Sequence, residues 1–124
     1  MNSELLALFL PDGILDYFEI VSYEKSSSGK QIYSQKLVLS LDEKDIIPFE
    51  YKEYRYKSCG FMDARIVNDY PIRNMLVSLK VRRRRWEVLI DGKKKKVNRD
   101  WNVIAQGTRM SDEYAAFLKE LSRV

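Results

Sequence analysis

The sequence contains no histidine and a single cysteine, Cys59. The missing histidine removes the usual general base and the commonest metal ligand. With one thiol and no imidazole, the chain cannot assemble a Cys/His zinc site, nor a Cys–His or Ser–His catalytic pair. A lone cysteine also excludes an internal disulfide framework. The five glycines are scattered at turns, so no glycine-rich phosphate loop exists. No run approaches the roughly 18 apolar residues that a membrane span needs. Residues 1–10 carry Glu4 where a secretory signal carries a basic lead, and they lack a small-residue cleavage site. Asp63, Asp69, Asp91 and Asp100 are candidate carboxylates, but none has a metal-ligand spacing to a second acid with a basic helper. These absences lead us to expect a cytoplasmic chain with no metal or cofactor and no enzymatic activity of its own.

What is present describes one globular domain over residues 1–124. A hydrophobic share of 45% with 12% aromatics is enough to bury a single modest core and too much for a disordered chain. Charge is strongly segregated. Residues 1–50 hold four lysines against nine acids, and residues 51–124 hold eighteen basic residues against nine acids. Ten basic residues fall within residues 80–99, opposed only by Glu87 and Asp91. Segregation of this kind points to a polyanionic partner, because a merely solvated face mixes both signs.

The pattern predicts an α+β fold, mainly an antiparallel β-sheet with a short N-terminal helix and an amphipathic C-terminal helix. Ser3 can cap a helix carrying Leu5, Leu6, Phe9 and Leu10, which Pro11-Asp12-Gly13 ends. A second short turn follows through Ile14, Leu15 and Phe18. Residues 18–23 alternate as a strand, Ser26-Ser27-Ser28-Gly29 forms a hairpin tip, and residues 31–41 return with Leu37, Leu39 and Leu41 on one face. Residues 42–48 read as a loop, and residues 52–57 and 61–67 as further extended segments. Asp69-Tyr70-Pro71 makes a bend. The clearest strand is 75–90, with Met75, Val77, Leu79 and Val81 pointing one way. Asp91-Gly92 signals a tight hairpin turn, after which residues 96–105 return and lysines 93–96 form a charged tip. Tyr114, Phe117, Leu118 and Leu121 recur at i, i+3, i+4 and i+7, as on a helix packed against a sheet.

Arg82, Arg83, Arg84 and Arg85 run without interruption into Trp86. Alternation on a strand puts Arg82 and Arg84 on one face and Arg83 and Arg85 on the other. Two geometries satisfy this. Either both faces are wet near the strand end, or one pair lies in a groove against acids from the N-terminal half. The planar guanidinium fork suits phosphate, and it also reads guanine edges in the major groove. Lysines 93–96 would add point charges that carry affinity without sequence information. Trp86 and Trp101 could stack on bases, but as cross-strand neighbours in a hairpin they are expected in the core.

The run Asn68-Asp69-Tyr70-Pro71-Ile72-Arg73, followed by Val77-Ser78-Leu79-Lys80-Val81 and the arginines ending at Trp86, resembles the N-terminal region of certain bacterial insertion-sequence transposases. Asn98-Arg99-Asp100-Trp101-Asn102 and Gly107-Thr108-Arg109-Met110 fit the branch in which this region is a separate protein encoded upstream of the catalytic frame. The resemblance runs from Ile14 onward and is strongest between Cys59 and Leu121. It implies a non-catalytic DNA-binding accessory part that recognises element ends and works with a catalytic subunit from a neighbouring reading frame. Relatives with a fused N-terminal region carry two cysteine pairs for zinc. Here Cys59 stands alone and residues 87–96 form a hairpin, so the clamping job should fall to packing between strands.

The expected DNA contacts are Lys80, Arg82, Arg83, Arg84, Arg85, Lys93, Lys94, Lys95, Lys96 and Arg99, extended by Arg73 and Arg109. No membrane partner is expected, and self-association is left open. One rival is a subunit whose basic face docks the catalytic polypeptide without touching DNA. Another is RNA binding by exposed sheet aromatics.

Overall fold

The computed structural model describes Leu5, residues 8–10, residues 13–101 and Glu120. Gly13 takes a left-handed backbone (φ 83°), a conformation that favours glycine, and leads into the one-turn helix α1, Ile14–Tyr17. Phe18 leaves the helix in an extended conformation (φ −126°). The strands follow as β1 (Phe18–Ser27), β2 (Gln35–Glu43), β3 (Arg55–Phe61), β4 (Arg65–Asn68), β5 (Met75–Arg82), β6 (Arg84–Ile90) and β7 (Lys93–Val97). A 3-10 turn at Phe49–Tyr51 lies between β2 and β3.

These strands make two sheets, a four-stranded one in the order β1-β2-β5-β4 and a three-stranded one in the order β3-β6-β7. The class is α+β and mostly antiparallel. One pairing departs from the expectation: β2 and β5 run parallel, in register from Gln35↔Met75 to Asp42↔Arg82. Parallel neighbours need a long crossover, and the stretch between them that contains β3 and β4 supplies it. The C-terminal helix expected at residues 111–121 lies outside the described residues, Glu120 apart. So does most of the helix expected from Ser3 to Leu10. Among the described residues, no helix is long and apolar enough to cross a membrane.

The core sits on one face of the four-stranded sheet. Leu39 and Leu41 of β2 lie beside Leu79 and Val81 of β5, and Ile14, Phe18 and Trp101 pack in the same cluster. The Phe18 ring stacks on Trp101 with centroids 5.1 Å apart, and Tyr17 meets the same indole edge-on at 5.3 Å. Burying each such side chain is worth about 1.5–3 kcal/mol. Both tryptophans are buried, as expected, but they are not cross-strand neighbours. Trp86 faces Val97 across the hairpin, whereas Trp101 belongs to the core of the larger sheet.

The single strand expected over residues 75–90 is divided between the two sheets. β5 ends at Arg82 and β6 begins at Arg84, with Arg83 between them in neither strand. Its buried face inverts there. Val77, Leu79 and Val81 are buried before the break, and Trp86 and Val88 after it. The odd-numbered face goes inward in one sheet and the even-numbered face in the other. A bulge in β3 faces the break, since Ser58 pairs with Trp86 and Phe61 with Arg84, leaving Cys59 and Gly60 opposite Arg85 alone. Gly60 takes φ 99° within that bulge.

The lysine run is not a hairpin tip. The turn is Asp91-Gly92, with φ 50° and 76°, the paired positive values of a tight two-residue hairpin. The lysines themselves form strand β7, so the return begins at Lys93. Asp42 and Glu43, expected in a loop, end β2 and are buried.

Candidate nucleic-acid interface

The arginine run, split between two strands, divides into groups with different duties. Arg82 donates two hydrogen bonds to Asp42, from Nε at 2.7 Å and Nη2 at 2.6 Å. Its side chain stays about half exposed at 45%. Arg84 is held more completely. Its backbone N–H donates to Glu43 Oε1 (3.0 Å), its Nε to the Glu43 carbonyl (3.0 Å) and its Nη1 to Ser58 Oγ (2.7 Å). Both guanidinium groups also lie over the Phe61 ring, at 4.2 and 4.6 Å. Of the two geometries the sequence allows, this pair takes the groove against N-terminal acids.

Arg99 requires a correction. Expected as a solvent-facing cation, it is only 9% exposed. Its Nε donates to Glu43 Oε2 at 3.2 Å and its Nη2 to the Ile46 carbonyl, and its guanidinium carbon lies 4.8 Å from the Tyr17 ring centre. A charge so enclosed joins elements instead of meeting a partner. Glu43 is the hub. It accepts from two arginines while itself 1% exposed, and burial pushes its carboxyl above the ordinary value of 4.5 despite those neighbours. Trp86 is fixed nearby, its indole N–H donating to Asp45 Oδ1 at 2.8 Å.

Arg83 is half-buried. Its carbonyl accepts the Met62 N–H at 2.8 Å, and its side chain lines a cleft with Tyr51, Asn98 and Trp101. Burial lowers its pKa first and nearby Arg65 second, while Glu43 acts in the opposite sense. Lys80 is exposed on the far face of the larger sheet, in a row with Ser40 and Ser22. Arg73 is exposed at a turn with φ 56°, and Arg109 lies outside the described residues. Asp69 organises its bend by accepting the Tyr70 N–H at 2.8 Å.

The remaining cations converge on the three-stranded sheet. Cross-strand register aligns Arg55, Leu89 and Lys94 in one row and Lys57, Glu87 and Lys96 in the next. Arg85 follows on the same face of β6, because Trp86 and Val88 occupy the other. Arg55, Lys57, Arg85, Lys94 and Lys96 are all exposed. Their one acid is Glu87, which Lys57 neutralises at 3.3 Å. Among the described residues, the other four cations of this face have no ion-pair partner. Such a face can accept several phosphates at once and has few groups able to read bases.

Sequence reasoning missed Arg55 and Lys57. The alternation of charge and tyrosine over residues 52–57 marked a strand, but nothing in the sequence linked it to a partner some thirty residues away. It also missed Asp42 and Glu43, whose signal was two acids closing an apolar strand. No protein-family model, curated protein or solved structure matches the chain.

Proposed function

We propose that this chain is a non-catalytic, cytoplasmic DNA-binding region of an insertion-sequence transposase, which holds element-end DNA for a catalytic polypeptide from a neighbouring reading frame. The observation that carries DNA binding is the face built from Arg55, Lys57, Arg85, Lys94 and Lys96 across three strands. The transposase context rests on the ordered motifs between Asn68 and Met110. Burial of Trp86 and Trp101 counts against the RNA-binding reading, which is left with exposed strand tyrosines such as Tyr23 and Tyr56 as stacking surfaces.

The four cations without an acid partner set the expected salt dependence. Binding to terminal-repeat duplex, followed by fluorescence anisotropy, should weaken with a log–log salt slope of about −4. Charge reversal at Arg85, Lys94 and Lys96 together should abolish it. No binding at low salt, alongside a nuclease-resistant complex with the catalytic polypeptide, would replace this reading with protein docking.

A further inference from the structure

Strand β7 has a property that a flat basic face does not need. Its lysines alternate, so Lys94 and Lys96 share the face of Arg85, while Lys93 and Lys95 project from the opposite face beside Ile90 and Val88. All four are exposed. β7 is also an outer strand, bonded only to β6 among the described residues, so its other edge offers unpaired backbone N–H groups. Beneath β6 the second face is closed, because Val88 is fully buried. Among the described residues of this sheet, cationic access to both faces therefore exists along this edge alone.

We infer that β7 enters the major groove of duplex DNA edge-first, with Lys94 and Lys96 gripping one phosphate wall and Lys93 and Lys95 the other. The dimensions agree. Facing sheets pack about 10 Å apart, so one pleated layer with its side chains takes up about that thickness, and one strand spacing projects it about 5 Å. The major groove is about 12 Å wide and 8.5 Å deep. The tight Asp91-Gly92 turn keeps the leading end narrow. Lysines on opposite faces cannot both meet a single phosphate row lying flat on the sheet. This binding mode rests on the DNA-binding reading above and names the groove and the leading edge.

The test compares two double variants of the full chain, Lys93→Gln/Lys95→Gln and Lys94→Gln/Lys96→Gln, each checked for folding by circular dichroism. Duplex affinity is measured against salt, with methyl green as a major-groove competitor and netropsin as a minor-groove competitor. Edge-first entry adds Lys93 and Lys95 to the four unpaired cations, so it deepens the unsubstituted slope to about −5, and each pair lowers its magnitude by about 2. It also predicts displacement by methyl green alone. If the 93/95 pair leaves the slope unchanged while the 94/96 pair lowers it, the chain binds face-on; the edge mode is then overturned and the DNA-binding function stands. Displacement by netropsin alone overturns the mode in the same way. Failure of the unsubstituted chain to bind duplex overturns both.

Discussion

Glu43 shows how one side chain can join two sheets. Its carboxylate ends β2, yet it accepts from the first residue of β6 and from Arg99 beyond β7. Removing it leaves Arg99 enclosed with no anion, so Glu43→Ala should destabilise the chain by about 3–5 kcal/mol, read from urea unfolding. Arg82→Ala should lose about 1 kcal/mol or less, because its bridge to Asp42 is half in water. Equal losses from the two variants would contradict the division of labour within the arginine run. That division was half legible beforehand. Alternation separated Arg82 and Arg84 from Arg83 and Arg85, but nothing local identified Asp42 and Glu43 as the partners. Those partners come from a parallel pairing between segments forty residues apart.

Among the elements, the β6–β7 hairpin was the most readable and the most misplaced. Asp91-Gly92 marked the turn correctly because a two-residue hairpin needs positive φ at both positions. Four consecutive lysines then suggested a loop tip, since β-propensity disfavours lysine. An outer strand tolerates them, because charge along an open edge blocks unwanted pairing with other chains. Gly92 (φ 76°) has open space where a Cβ would sit, so a substitution there strains the backbone without a clash. Gly92→Ala should therefore cost about 1 kcal/mol, seen as a lower urea midpoint. It should also weaken duplex binding more than it weakens folding, because β7 depends on that turn.

At the scale of the whole molecule, the ion cluster between the sheets couples stability to pH. Burial raises the Glu43 carboxyl above its ordinary value of 4.5. Between that value and the raised one, the folded chain holds more protons at Glu43 than the unfolded chain does. The stability from this group is complete below 4.5 and is lost as pH rises through the folded value. Glu43→Gln cannot titrate, so the advantage of the unsubstituted chain over this variant should shrink as pH rises above the ordinary carboxyl value of 4.5. Urea titrations of both proteins at each pH measure the difference, and a gap that widens with pH would contradict the upward shift of the carboxyl. The segregated charge of the two halves suggested a polyanion partner. It also concealed that some of those opposite charges meet inside the fold, as Asp42 with Arg82 and Glu43 with Arg99 do.

The inversion of the buried face between Val81 and Trp86 makes the number of arginines matter as much as their charge. Four residues separate an odd-numbered inward face from an even-numbered one. Losing or gaining one arginine would keep the run's composition almost intact while turning one sheet inside out relative to the other. Trp86 and Val88 would be driven into water, and Arg85 would be driven toward the interior. The run works as a spacer whose count sets which face of β6 turns inward.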